Sequence, residues 1–569
     1  MRHLRNLGLG SLIALSVLSA CAAADPPAAA SAGAGAVPLR DYTPSGVYAD
    51  FLAGRFALAQ SEPAAAADAF LKALAAQPND PALVRQAFFA AVLSGRAAAA
   101  ELALRLPDDP VAQLVLVGQD VRAGNWGQAE QRCEHLPEQG LPQLLRPLLI
   151  AWTQAGGGDA SAALATLRPL ADGRGSPGIF ALHAGMIADL AGLRNEAAHA
   201  YGVSQTDMPQ MNLRMAQVLA SWDARTNHPA AAQHVLAALV EGAPDMAIAL
   251  PALEAASGVR VVGDAPAGMA EAYLSLAGAL RAQASDDYAM IMLRLALDLR
   301  PDLTAARIMA ADILSGERRD AAALRMLAPV AQSDTLAALA DMRRINILLQ
   351  MGQRNAAMEG VNRLVAAYPD SPLPLIQRGD VLRQTEQFKA AIAAYSAGIA
   401  RLAHPGADDW PVFYDRGIAF EQVHDSRSAE ADFRTALRLA PDQPYVLNYL
   451  GYTWANKGEH LTEALHMIQS ASEKRPNDGA ITDSLGWVLL HQGHVAEAVQ
   501  VLQRAVEQDP EDPTINGHLG DAYKQAGRLL EAQYQWRRAL TLNPGPEDVA
   551  KLESKLQTPA TASVASGRQ

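Results

Sequence analysis

The chain has 569 residues, half of them apolar and only 5% aromatic, with a formal net charge of −13 at pH 7. An acidic chain without a basic run argues against nucleic acid as a partner. Two cysteines leave no disulfide framework, and Ala-rich periodic segments with almost no β-branched runs predict an all-α protein.

The N-terminus reads MRHLRNLGLGSLIALSVLSAC. Arg2 and Arg5 precede an apolar run from Leu7 to Val17, and small residues precede Cys21, which is the pattern of a signal peptide over residues 1–20. Leu18-Ser19-Ala20-Cys21 resembles the lipobox of bacterial lipoproteins. That resemblance implies cleavage between Ala20 and Cys21, a diacylglycerol thioether on Cys21, and acylation (palmitate) of the new amine. The alternative is an ordinary secretory signal in which Cys21 is incidental. Two or more acyl chains give stable anchoring where one does not. Ala22, rather than Asp, after the cysteine resembles outer-membrane sorting, so the expected location is the periplasmic face of a bacterial outer membrane. Losing Arg2 and Arg5 takes the charge from −13 to −15. Residues 21–46 read as a flexible Ala/Gly/Pro-rich tether. No later segment is apolar for long enough to cross a bilayer. Cys133 is read as a small residue packed in a helix.

Residues 47–241 predict helical hairpins. The first, 47–80, carries Gly54, Ala66, Phe70, Ala73 and Pro78. Four more turn at Gly95, Gly124, Gly156–Gly158 and Gly192, and a fifth near His228–Pro229. Residues 242–267 predict an irregular linker with the one strand-like run, Val259–Val262, and the boundary between two halves. Regularity returns over 268–546. Units turn near Gly316 and Gly352, and an extended turn at His404–Asp409 precedes Trp410. Residues 547–569 predict a capping helix and a tail. In all, about fourteen helix pairs are expected.

The clearest units lie near the end. Gly486, Gly493, Ala498, Ala505 and Pro510 recur as Gly520, Gly527, Ala532, Ala539 and Pro544, each 34 residues on. Gly417 and Gly451 open two earlier copies. This pattern resembles the tetratricopeptide repeat, which implies an α-solenoid of stacked helix–turn–helix hairpins in a right-handed superhelix. Gly and Ala are expected to face each other where the two helices of a hairpin cross closely. Trp454 and Trp536 fall on the hairpin interface and are expected in the core.

Motifs for chemistry are absent. HQGH places His491 and His494 three apart, but Gly493 sits in the turn and no third ligand is near. GGGD at 156–159 lacks the Lys-Ser/Thr of a phosphate loop and a preceding strand. No nucleophile is paired with a base by spacing. The chain is read as non-enzymatic, with no catalytic residues, no metal and no cofactor.

The repeat resemblance implies a concave groove lined by the first helix of each hairpin. In that register the inward residues are Tyr414, Ile418 and Glu421, then Tyr445, Asn448 and Tyr452, then Asp483, Trp487 and His491, then Asp521 and Lys524. Tyr445, Tyr452 and Trp487 would form an aromatic strip suited to an extended peptide or protein segment. The alternative is that these rings pack between adjacent repeats. The corresponding slots are mostly aromatic or acidic, which disfavours a clamp for a C-terminal carboxylate. LGYT, EAL, a Pro-Asn-Asp turn and DSLGWV, within residues 450–488, resemble long proteobacterial outer-membrane lipoproteins. One member partners a carboxyl-terminal processing protease. The resemblance implies an adaptor that brings substrates such as murein hydrolases to the protease by raising local concentration. The competing reading is an assembly or structural lipoprotein that supports polysaccharide export, outer-membrane biogenesis or secretion.

Overall fold

The computed structural model describes residues 46–60, 62–137, 142–173, 177–208 and 210–557. The signal peptide, Cys21, most of the tether and the tail from 558 lie outside the described residues. Among the described residues there are thirty α-helices and no strand. They form six hairpins over 47–242, eight over 265–541, a short helix Leu250–Ala256 between the two sets, and a terminal helix Pro546–Leu556. The fold is an all-α solenoid.

The chain starts and stops each helix with local chemistry. Asp80, Asp109 and Asp512 precede a proline, and each carboxylate accepts from two backbone N–H groups of the first turn. That combination satisfies the orphan donors while proline fills the slot that needs no N–H. The hairpin turns pass through the left-handed region, at Gly95, Gly192, Gly493 and Gly527 in some hairpins, and at Glu386 and His424 in others.

The close crossing within a hairpin differs from the expected small-on-small contact. Gly486 faces Leu502, Gly520 faces Trp536, and Gly417 faces Phe433, each partner sixteen residues later on the second helix. A Cβ on Gly486 or Gly520 would lie 2.5 Å from the facing side chain. Each glycine is therefore a socket for one large knob. The alanines act separately: Ala464 and Ala532 bring their carbonyls within 3.1–3.2 Å of the Cβ position of Gly451 and Gly520. Trp454 and Trp536 are buried, as expected. So is Cys133, whose thiol burial pushes up to about 12.

Residues 242–267 are ordered. A 3-10 turn, Pro244–Ile248, leads into Leu250–Ala256. Val259–Val262 is irregular backbone and not a strand, and side chains take up two of its carbonyls. Ser221 donates to Val259 at 2.7 Å and Arg300 to Val261 at 3.2 Å. Val262 is buried, while Val259 points to solvent.

The first six hairpins do not leave an open trough. The next hairpin, Ala265–Ala282 with Asp286–Leu299, lies against Pro81–Ser94, Pro110–Arg122, Pro142–Gly156 and Pro177–Leu190 and plugs it. Helix Ala265–Ala282 buries residues on nearly every side, which a helix does only when neighbours surround it. Trp152, fully buried, packs over Gly268, where a Cβ would come within 2.3 Å of the indole. Its Nε1 donates to His183 Nδ1 at 2.9 Å, and burial pushes His183 down to about 4, so the imidazole is neutral and can accept. Buried Glu271 is held by Arg214 and, at 3.5 Å, by Arg300. Arg122 pairs with Asp298 across 176 residues, and Arg325 with Glu62 across 263. One hydrophobic core accordingly extends from Ala66 to Ile347, through the segment between the two sets of hairpins. Separate cores follow, one joining Ile248 to residues from Ala338 to Val381, one from Leu382 to Val488 and one from Leu489 to Leu552.

Candidate functional site

Beyond residue 372 each hairpin packs chiefly on its neighbours, and the first helices stand side by side. These are Pro372–Gln384, Trp410–Gln422, Pro444–Lys457, Gly479–His491 and Pro513–Gln525. Their common face is the candidate groove.

The residues expected there separate into three groups. Tyr452, Asp483, Trp487, His491 and Asp521 converge near the C-terminal end. The Trp487 ring stacks on His518 with centroids 3.9 Å apart and meets His491 edge-on at 4.8 Å. Trp487 Nε1 donates to Asn456 Oδ1 at 2.7 Å. Buried Asp483 bonds His518 Nδ1 at 2.8 Å and fixes that ring under the indole. Tyr452 lies 6.4 Å from His518, centroid to centroid. Asp521 accepts from Trp536 Nε1 at 3.1 Å and from Lys555 of the terminal helix at 2.7 Å. Tyr452, Asn456, Trp487, His518, Asp521 and Leu552 line a cavity of about 470 Å³, open on one side and backed by the terminal helix, while Asp483 and His491 touch its aromatic wall from outside.

A second group sits apart. Tyr414 belongs to an aromatic cluster with Trp410, Phe433 and Tyr449, in which Tyr414 and Tyr449 meet edge-on at 5.8 Å. Burial pushes the Tyr414 phenol up to about 12. Ile418 is half-buried against the same core, and Glu421 pairs with Lys457 at 3.4 Å. Asn448 is half-buried, and its Oδ1 has no hydrogen-bond partner.

The third group is exposed. Tyr445 is exposed, with the Arg475 guanidinium 5.2 Å above its ring, and it does not line the Trp487 cavity. Lys524 is exposed and places its ammonium 6.0 Å from Trp536.

His518 and Asn456 are the residues that sequence reasoning missed. Both had a signal. Gly517, 34 residues after Asp483 and so in the matching slot, has no side chain, and His518 next to it supplies the contact. Asn456 stands five after Gly451, the offset at which His491 follows Gly486. His491 and His494 do not converge: His494 begins the next helix and lies 3.8 Å from Glu497. Among the described residues no cluster of three or more His, Cys, Asp or Glu could hold a metal ion. Among them, too, no helix is long and apolar enough to cross a membrane.

Tetratricopeptide-repeat family models match residues 414–461, 459–513 and 489–556. Residues 414–556 of the candidate groove are recognised as tetratricopeptide repeats. The chain is similar to TPR repeat-containing protein PA4667 of Pseudomonas aeruginosa, at 30% identity over 155 residues. That match covers 27% of this chain and about a quarter (26%) of the relative's own length. Among solved structures, the chain is similar to the Cut9–Hcn1 hetero-tetramer of the APC/C, with a TM-score of 0.40 and 14% identity over 90% of this chain and 96% of that one. It is also similar to YrrB, a TPR protein with an unusual peptide-binding site, with a TM-score of 0.27 and 19% identity over 35% of this chain and 99% of that one. The tetratricopeptide repeats at 414–556 contain the Trp487 cavity, so the site belongs to the part of the chain where the family match lies.

Proposed function

We propose that this chain is a non-enzymatic scaffold that holds an extended segment of a partner protein in its C-terminal groove, with Trp487 as the central contact. The observation that carries this reading is the Trp487–His518 stack. It is a pre-ordered aromatic platform beside an open cavity, held from below by Asp483 and from the side by Asn456. A rigid aromatic flanked by amide and carboxylate groups suits a peptide that offers apolar side chains and backbone N–H groups. Lipid attachment at Cys21 would hold the scaffold at the periplasmic face of the outer membrane. The DSLGWV block and the lipobox support an adaptor that presents substrates, murein hydrolases among them, to a carboxyl-terminal processing protease.

Affinity capture from solubilised envelopes tests the partner. Recovery of a processing protease together with a murein hydrolase, lost with Trp487→Ala, is the expected result. Recovery of export or assembly components instead would favour an assembly lipoprotein. Trp487 also ties three repeats together, so Trp487→Ala is expected to cost about 2 kcal/mol, from one hydrogen bond and one aromatic contact, and leave the array folded. His491→Ala removes an exposed ring with little structural role and should weaken capture without a change in melting. Full capture by both variants would place the binding surface elsewhere.

A further inference from the structure

Where the first hairpins meet the plugging one, a second cavity of about 520 Å³ opens. Its size lies in the range of small-molecule sites, roughly 300–1,000 Å³. The walls are mainly apolar: Phe89 and Leu93 on one side, Met290, Ile291, Leu314 and Met326 on the other. Two charge pairs lie on the lining, Glu62 with Arg325 and Glu317 with Arg319, and Asp286 and Asp287 line it as well. Arg294, on the wall, is not matched. Among the described residues it makes no ion pair, and its buried Nε has no hydrogen-bond partner. The carboxylate one turn on, Asp298, is taken by Arg122. Asp286 lies two turns back on the same helix, about 12 Å along the axis, out of reach. Arg307, whose guanidinium is anchored on the Pro301 and Met326 carbonyls, adds positive potential. An unpaired, largely buried guanidinium is costly, and an anion in contact with it removes the cost.

We propose that this cavity binds a single-chain anionic amphiphile, its chain along Phe89, Leu93, Met290 and Met326 and its carboxylate on Arg294. The proposal is independent of the C-terminal groove. A mainly apolar enclosure with an unmatched cation, Arg294, two helical turns from the carboxylates of Asp286 and Asp287, fits such a molecule better than a peptide, whose backbone needs a row of amide partners that these walls lack.

The test is calorimetric titration of the delipidated full-length mature chain with dodecanoate and, separately, with dodecanol. Dodecanoate is expected to bind. Arg294→Met is expected to weaken it at least tenfold, leave dodecanol unchanged, and leave the melting temperature unchanged or raised, because a buried unmatched charge is gone. Leu93→Trp, which fills the cavity, should abolish both. No binding of dodecanoate, or equal binding by Arg294→Met, would overturn the proposal. So would a hexapeptide ending in leucine that binds through Arg294 when dodecanoate does not. A marked loss of stability in Arg294→Met would assign the arginine to the fold instead.

Discussion

Asp380 shows how one buried carboxyl writes a pH dependence into the array. Burial, reinforced by Asp415, raises it to about 7, although the Tyr395 hydroxyl donates to it at 2.7 Å. Arg383 does not cancel this, because it is shared between Tyr395 and Asp415, at 3.2 and 3.1 Å. The folded pKa stands above the unfolded value, so the fold favours the protonated acid. That contribution is complete at pH below about 3.8 and is lost as pH rises through about 7. Asp380→Asn, which keeps an acceptor for Tyr395, should therefore melt higher than the parent at pH 8 and alike at pH 4. The difference should be at most about 4 kcal/mol, since each tenfold change in proton affinity is worth about 1.4 kcal/mol. A pH-independent difference in calorimetric melting would show that Asp380 is not the titrating group.

Each hairpin is a socket and a knob, and this sets what a substitution does. Gly486→Ala puts a methyl 2.5 Å from Leu502 and should destabilise by about 1–3 kcal/mol. Leu502→Ala alone leaves a cavity and costs about 2–5 kcal/mol. Because the two side chains touch, the double variant should lose less than the sum, and a double-mutant cycle by urea unfolding measures the difference. Strict additivity would mean that the glycine does not serve the leucine. The small residues at a fixed period made the hairpins, their turns and the terminal helix legible in the sequence. What each glycine faces was not legible, since a period says which residues recur and not which of them touch. The groove was legible in part for the same reason. Trp487, Asp483, Tyr452 and Asp521 follow from their offsets, whereas His518 depends on the neighbouring glycine's missing side chain. Helix Ala265–Ala282 had a sign of its own: apart from Glu271 and Arg281 it carries no charge, too few for an exposed face.

At the scale of the molecule the chain divides by how far its contacts reach. One core draws on residues from Ala66 to Ile347, and the hairpin at 265–299 closes it; from 372 onward hairpins depend on their neighbours. A fragment ending at 242 lacks its plug and should be molten or aggregated, as judged by near-ultraviolet circular dichroism. A fragment over 372–557 keeps its neighbours and its terminal helix and should fold. If the fragment ending at 242 melts cooperatively instead, the plug is an ornament of the first six hairpins and not a part of their core. The fragment over 372–557 also retains the Trp487 cavity whole, so partner capture can be measured on it.

The ties between Arg122 and Asp298 and between Arg325 and Glu62 carry a mechanical meaning. A stack whose members touch only adjacent members flexes like a spring, because bending it stretches few bonds at a time. A loop of chain fastened to itself across hundreds of residues cannot flex without breaking those fastenings together. Pulled between its two ends, the molecule should yield first in the arm beyond residue 372, while the fastened region turns as a solid knuckle.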